Sequence, residues 1–326
     1  MKNKVDSSVL IMMATFNGAE YIKKQIDSII AQDYTNWKLI IQDDFSTDNT
    51  YQIINDYCQK DSRISCQQNT SGKNGPYYNF HNLANRCKNN HKYNYYMFCD
   101  QDDVWDVNKI SKFLSVLENE EQTIPLACYA DMRLIDETDN VIGYSIEQMS
   151  GIAYVNKYSL FFSHIVSGCN MMINAAGFFQ VPHVDLNNPF TEYLSHDNLY
   201  IKYAAITGNV VYIDSPLMSY RRHSGNVTFK HKYKRSLYYI LTRVLNLNDL
   251  AADHALTYNQ SLFTIRMMKD DINDSELEQI EKVIRKGGLY AILYIKKRKI
   301  NWGNHLKNIS RKTTMVLGLY KKYLTV

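Results

Sequence analysis

Tyr95-Tyr96-Met97-Phe98-Cys99, followed at once by Asp100-Gln101-Asp102-Asp103, is the stretch on which the reading of this chain turns. A short, unbroken apolar run marks a strand buried on both faces. Three carboxylates in the next four positions cannot follow that run into a core, because an unpaired buried charge is too costly. The chain must leave a buried sheet here, with its acids at the carboxyl end of the strand.

The same event occurs upstream. Val9–Thr15 is an uninterrupted apolar run that reads as a first strand, Trp37–Gln42 is a second strand that stops at Asp43-Asp44, and Arg63–Gln67 is a third, short one. Between them, residues 20–31 carry Ile22, Ile26, Ile29 and Ile30 on one helical stripe. Ser46, Thr47 and Asp48 supply N-cap chemistry for a helix bearing Ile53, Ile54 and Tyr57. A loop with Gly72 and Gly75-Pro76 leads into a helix over roughly 77–88. Strand alternating with helix predicts a parallel α/β sheet. Ligands of such sheets bind beyond the carboxyl ends of the strands, so two strands that end in acids place those acids in one crevice.

Further on, the pattern predicts a helix beginning near Trp105, a strand over Leu126–Asp131, an apolar run after Ser167-Gly168-Cys169, a helix over about 197–206 and a strand over Val210–Ile213. Residues 230–326 read as mostly helical and basic. No internal repeat or low-complexity segment interrupts the chain.

Composition narrows the class. The 326 residues suit one large domain with an appendage, or two domains. Six cysteines with no Cys-x-x-Cys pair argue against a zinc ribbon and a disulfide framework, and suit a reducing compartment. The run Val9–Ala14, behind Lys2, Lys4 and Asp6, reads as a first strand rather than a signal peptide. No stretch approaches the roughly 18–20 apolar residues of a membrane span. The expectation is a cytoplasmic protein. Tyrosine is abundant at 26, which suits sugar stacking as well as ordinary packing.

The net charge of +4 hides an asymmetry, with about −9 in residues 1–220 and about +13 in 221–326. From Lys282 onward there are twelve Lys or Arg and no acids. Tyr238, Tyr239, Leu289, Tyr290, Leu293, Tyr294 and Trp302 lie among the cations of residues 221–326, a mixture that suits peripheral contact with an anionic membrane. A solvated helical face is the alternative. No nucleic-acid recognition motif accompanies the charge.

Asp100-x-Asp102 just past a buried strand can hold a hard divalent cation such as Mg²⁺ or Mn²⁺. The run Phe98–Val104 also fits the nucleophile motif of haloacid-dehalogenase-like phosphohydrolases, although the Gly-Asp-x-x-x-Asp element of those enzymes is missing downstream. Asp43-Asp44-x-Ser46-x-Asp48 can accept hydrogen bonds from a nucleoside, or can serve only as a helix cap.

Together, Ala14-Thr15-Phe16-Asn17, Asp43-Asp44-Phe45-Ser46-Thr47-Asp48-Asn49-Thr50 and Asp100-Gln101-Asp102-Asp103-Val104-Trp105 resemble, in order and spacing, the family 2 glycosyltransferases. The resemblance covers roughly residues 8–226, and its wording at Asp-Gln-Asp-Asp-Val-Trp is similar to the bacterial rhamnosyltransferase branch. It implies a GT-A fold: a mixed, mainly parallel sheet flanked by helices over 1–228, with a donor half to about 105 and an acceptor half from 106. A basic helical region would follow over 229–326.

The resemblance also implies roles. Thr15, Asn17, Asp43, Asp44 and Asp100 would bind the donor nucleotide sugar, with Gly168 in a glycine loop below the sugar. Asp102, Asp100 and His223 would hold Mn²⁺ or Mg²⁺, and Arg221 and Arg222 would meet the diphosphate. Asp197, in Leu194-Ser195-His196-Asp197-Asn198, would be the base, and His196 departs from the acid the family often carries there. The implied reaction is inverting transfer, of L-rhamnose from dTDP-β-L-rhamnose first and of galactose or glucose from UDP as the alternative. The acceptor would be a glycan or lipid-linked glycan of a capsule, O-antigen or cell wall. Processive synthases share the early motifs, but their membrane spans and Gln-x-x-Arg-Trp element are not found here.

Overall fold

The computed structural model describes residues 6–90, 92–145, 156–226, 247–270, 272, 274–302 and 305–326. The chain divides into two compact units, one of residues 1–145 and 166–223, the other of 146–165 and 224–326.

The first unit is built on one sheet. Its strands are β1 (Val9–Thr15), β2 (Trp37–Asp43), β3 (Ile64–Gln68), β4 (Tyr95–Cys99), β5 (Val104–Trp105), β6 (Leu126–Ile135), β7 (Val141–Gly143), β8 (Met171–Asn174) and β9 (Asn209–Arg221). They lie in the order β3-β2-β1-β4-β8-β6-β9-β5, with β7 beside β6. Pairs β1–β2, β1–β4, β2–β3 and β6–β9 are parallel; β8 runs antiparallel to both β4 and β6. The expected mixed, mainly parallel sheet is therefore present.

Burial explains the central strands. Val9 to Met13 and Tyr96 to Cys99 are fully buried, each large side chain contributing about 1.5–3 kcal/mol. Register then aligns their ends. Thr15 pairs with Asp43 and Met13 with Cys99, so Thr15, Asp44 and Asp100 leave the sheet on the same side. Helices α1 (Ile22–Ile30), α2 (Thr50–Lys60), α3 (Pro76–Asn90), α4 (Lys109–Leu117), α5 (Ala175–Gln180) and α6 (His196–Thr207) complete the unit. α1 buries Ile22, Ile26 and Ile29 as its stripe predicts.

Three local expectations need correction. Trp105 does not open a helix; Val104-Trp105 pairs with Ser219 and Met218, and α4 starts at Lys109. The strands predicted over Leu126–Asp131 and Val210–Ile213 run on to Ile135 and Arg221, past irregularities at Asp131 that break the alternation in sequence. α2 begins at Thr50, where Asp48 accepts both the amide and the hydroxyl of Thr50 at 2.9 and 2.5 Å. Ser46 and Thr47 do not cap that helix; they bond to Asp43 and Asn17.

The second unit is helical where described: a 3-10 turn at Lys157–Phe161, then α7 (Leu247–Lys269), α8 (Ser275–Lys286), α9 (Gly288–Lys297) and α10 (His305–Leu317). Tyr258, Trp302 and Tyr320 form its centre, each nearly or fully buried. Trp302 Nε1 donates to the Phe162 carbonyl and Ser261 Oγ to the Phe161 carbonyl, both at 2.8 Å, so the 3-10 turn is sewn to the C-terminal helices. Gly287 and Gly288, at φ +60° and +62°, make the turn between α8 and α9. Of the apolar and aromatic residues expected on a basic surface, Tyr294 and Trp302 belong instead to the core, whereas Leu289, Tyr290 and Leu293 are exposed. Tyr238 and Tyr239, and the expected boundary at 228–229, fall outside the described residues. No helix among the described residues is long and apolar enough to cross a membrane.

Candidate active site

The site is assembled where the strands of the first unit end. Thr15 Oγ1 donates to Asp43 Oδ1 at 3.0 Å, and Ser46 adds its hydroxyl to Oδ1 at 2.5 Å and its amide to Oδ2 at 2.8 Å. Asp43 is thus fully buried and satisfied by its neighbours. Asp44 is equally committed, accepting Asn69 Nδ2 at 2.8 Å and the Gly75 amide at 2.7 Å, which fixes the loop that leads into α3. Asn17 adopts a left-handed conformation, φ 46°, and its side-chain oxygen receives the Thr47 amide at 2.8 Å. The β1 and β2 tips are thereby locked to each other.

Gln101, a mere spacer in the sequence motif, has a defined task. Its side-chain oxygen accepts the Phe16 amide and its nitrogen donates to the Phe16 carbonyl, each at 2.9 Å. The amide imitates a strand partner and ties the loop after β1 to the loop after β4. Gly18 lies beneath it: a Cβ there would stand 2.3 Å from the Gln101 side-chain oxygen.

Asp102 Oδ2 lies 2.7 Å from His223 Nε2, and both side chains are partly accessible. The His223 ring packs on Tyr21, centroids 4.7 Å apart. Asp100, Asp103 and Cys169 offer ligand atoms within 4.8 Å of one another. Burial first, then the Asp102 charge, pushes both the Asp100 and the Asp103 carboxyls up from the ordinary carboxylate range. Lys109, fully buried beneath the cluster, donates to the Cys169 carbonyl at 2.7 Å, with its ammonium 4.0 Å over the Trp105 ring.

By donor chemistry the expected ligands suit a divalent cation, although the ligand atoms found within 4.8 Å of one another are those of Asp100, Asp103 and Cys169. Asp100 and Asp102 offer carboxylate oxygens and His223 an imidazole nitrogen, and the carboxylates repel each other without a cation. Asp103 and Cys169 suit that ion less well. Asp103 Oδ1 is occupied by the Arg221 amide at 3.0 Å, and Cys169 is a buried soft thiol whose pKa burial raises.

Asp197 stands in the first turn of α6 and accepts the Gly168 amide at 3.2 Å. A Cβ on Gly168 would meet His196 Nε2 at 2.0 Å, so the backbone approaches that ring as only glycine permits. His196 packs between Phe80 and Phe98, centroids 4.0 and 4.4 Å away. Tyr77, at the start of α3, lies close to both acids. Burial and then the charges of Asp197 and Asp100 raise its hydroxyl to about 12.

The two arginines separate. Arg221 is fully buried, with Nε donating to the Asp102 carbonyl at 2.7 Å, Nη1 to the Asp136 carbonyl at 3.1 Å and Nη2 2.6 Å from Asp139. Its guanidinium is therefore engaged inside the protein and holds the loop that carries Asp102, contrary to the diphosphate contact expected of it. Arg222 is partly exposed, and its amide donates to the Ile135 carbonyl at 2.8 Å.

Thr15, Asn17, Asp43, Asp44, Asp100, Asp102, Gly168, Asp197 and His223 all lie at this end of the sheet or on the elements that close over it. Sequence reasoning passed over Gln101, Tyr77 and Lys109. The position of Tyr77 directly after Gly75-Pro76, at a helix start facing the strand ends, was the one signal available for it.

The family described as Glycosyl transferase family 2 matches residues 10–176. Among curated proteins, the chain is 29% identical to a dTDP-rhamnosyl transferase of Shigella flexneri, over 68% of this chain and 77% of that one. It is 37% identical to an Escherichia coli UDP-Glc:alpha-D-GlcNAc-diphosphoundecaprenol beta-1,3-glucosyltransferase, over 35% of this chain and 42% of that one. Among solved structures, Staphylococcus aureus TarS residues 1–349 in complex with UDP-GlcNAc superposes with a TM-score of 0.58 at 14% identity, covering 97% and 90% of the two chains. A Pyrobaculum calidifontis mannosyltransferase in complex with GDP-Man and Mn²⁺ gives 0.52 at 12% identity, covering 98% and 88%.

Proposed function

The chain belongs to glycosyl transferase family 2, and we propose that it moves a sugar from a nucleoside-diphosphate donor to a glycan or lipid-linked glycan, with inversion and with the help of a divalent cation. The observation that carries this reading is the link from Asp197 through Gly168 to the acidic strand ends. The Asp197 carboxylate receives the Gly168 amide, and Cys169, the next residue, brings its thiol within 4.8 Å of carboxylate oxygens of Asp100 and Asp103. One cleft then holds a base and a leaving-group site.

Asp197 takes the proton of the acceptor hydroxyl as that oxygen attacks the sugar carbon from the face opposite the diphosphate. One displacement inverts that carbon. Thr15, Asn17, Asp43 and Asp44 shape the nucleoside end, with Asp43 and Asp44 acting through the groups they hold. Gly168 leaves room below the sugar. Arg222 meets the diphosphate, and Arg221 holds the Asp102 loop. Mn²⁺ or Mg²⁺, held by Asp102, Asp100 and His223, would supply charge neutralisation for the departing diphosphate.

L-Rhamnose from dTDP-β-L-rhamnose is the first donor on this reading, supported by the Shigella relative. A UDP-linked glucose or galactose is the second, supported by the glucosyltransferase relative, whose name also supports an acceptor on a lipid diphosphate. The setting is bacterial surface polysaccharide synthesis in the cytoplasm, peripherally on the inner face of the membrane, with no nucleic-acid partner. The phosphohydrolase alternative is set aside by the family match.

A thermal-shift screen of dTDP-rhamnose, UDP-glucose, UDP-galactose and UDP-GlcNAc, with and without Mn²⁺, tests the proposal. The expected result is Mn²⁺-dependent stabilisation, largest with dTDP-rhamnose. A largest shift with UDP-glucose or UDP-galactose would favour the second donor reading, and no shift with any of the four would contradict both.

A further inference from the structure

We propose that α9 is a membrane-docking helix that seats Leu289, Tyr290 and Leu293 in the headgroup region of an anionic bilayer. The inference deepens the peripheral-membrane part of the proposed function and rests on it, but on neither the donor nor the chemistry.

The inner face of α9 is fixed. Ala291, Tyr294 and Ile295 are buried in the core of the second unit, so the opposite stripe has a defined direction. On that stripe Leu289 is 76% and Leu293 68% exposed, with Tyr290 at 40% beside them. Two leucines at i and i+4 stand side by side on a helix, and leaving both in water forfeits the transfer free energy that burial of either would return.

Cations frame this apolar patch at both ends. Lys282 and Lys286, on the outer face of α8, hold their ammonium groups 5.7 and 5.6 Å from the Tyr290 ring. Lys296 and Lys297 stand exposed at the far end of α9, seven and eight positions beyond Leu289, and so continue its stripe. No acid occurs after Glu281, whereas twelve Lys or Arg do.

A partner that accepts leucine, tyrosine and several ammonium groups on one short helix needs phosphate at its surface and hydrocarbon just below. An anionic leaflet has that order of chemistry. A nucleic acid would satisfy the lysines and leave both leucines without a partner. At ten residues, about 15 Å long, α9 can lie in the interface but cannot span it.

The test uses the full chain and vesicles of phosphatidylcholine, alone or mixed with phosphatidylglycerol, followed by flotation at low and at about 0.15 M salt. Binding is expected only with phosphatidylglycerol, and it should weaken as salt is added. Leu289→Glu with Leu293→Glu should lower apparent affinity at least tenfold, and each of Lys286→Gln, Lys296→Gln and Lys297→Gln by roughly fivefold. All five positions are exposed, so the melting temperature should not move. Nucleotide-sugar stabilisation should also be unchanged, which separates failure of docking from failure of the enzymatic reading. Absent binding to anionic vesicles would overturn the inference, as would wild-type binding by the double leucine variant. Loss of self-association in that variant, with vesicle binding intact, would assign the face to a second copy and overturn it as well.

Discussion

His223 Nε2 and Asp102 Oδ2 meet at 2.7 Å, joining the end of β9 to the loop after β4 across 121 positions of sequence. Behind the pair, Arg221 holds the Asp102 carbonyl and gives the Asp103 carboxylate its amide. The histidine is thus delivered to the acids by a strand whose last residue is anchored in the same loop. Asp102→Ala should abolish the response of donor binding to Mn²⁺ in calorimetry, and His223→Ala should weaken that response by about tenfold, the scale on which metal-site partners act. Tight, Mn²⁺-responsive binding by Asp102→Ala would remove this pair from the metal site.

The loop at Gly168 depends on a missing side chain. Gly168→Ala would set a methyl 2.0 Å from the His196 ring, which cannot retreat because Phe80 and Phe98 pack against it. We expect a loss of about 1–3 kcal/mol in urea unfolding, the usual cost of overpacking. Activity should fall further than stability alone accounts for, since the displaced amide is the one Asp197 accepts. An alanine variant as stable and as active as the wild type would contradict the close approach.

Gln101 makes the third test. Gln101→Leu removes both bonds to the Phe16 backbone while keeping much of the side-chain volume. The cost should be about 1–3 kcal/mol, and KM for the donor should rise more than kcat falls if the β1 loop forms the nucleoside end as proposed. Unchanged KM with lowered kcat would assign Gln101 to the reaction itself.

These residues show what the sequence could and could not convey. β1, β2 and β4, and the acids that follow β2 and β4, were legible, because a strand buried on both faces leaves a continuous apolar run, which in β2 and β4 stops sharply at a charge. β9 was cut short in the sequence reading, since Asp214-Ser215-Pro216 interrupts its apolar residues, whereas the backbone skips Asp214 and Ser215 and resumes pairing with β6 at Pro216. The use of Gln101, Lys109 and Arg221 was not legible at all. Each acts on a group distant in the chain, and nothing in a one-dimensional pattern separates a buried lysine or arginine from a solvated one. Asp43 and Asp44 were recognised as acids at a strand end, but their carboxylates serve Ser46, Thr15, Asn69 and Gly75.

A buried imidazole gives a pH dependence. His81, on α3, is fully buried and donates from Nε2 to the Leu194 carbonyl at 2.8 Å; burial lowers its pKa to about 3. The unfolded chain, near 6.5, binds a proton between those values that the folded chain refuses. Stability from this group is present above about pH 6.5 and drains away as pH falls toward 3, by at most about 1.4 kcal/mol per pH unit. Urea titrations at pH 7, 5.5 and 4.5 should show His81→Gln losing less stability on acidification than the wild type. Parallel losses in the two proteins would show that His81 does not set this dependence.

Transfer by Asp197→Asn is the most direct measurement of the central claim, that a base at the start of α6 and acids at the strand ends serve one reaction. With a nucleotide-sugar donor that stabilises the wild type, kcat should fall by about 10²–10⁴-fold, the range expected for losing a general base. Donor affinity should change little, because asparagine keeps the shape and can still accept the Gly168 amide. Turnover at the wild-type rate would contradict the account.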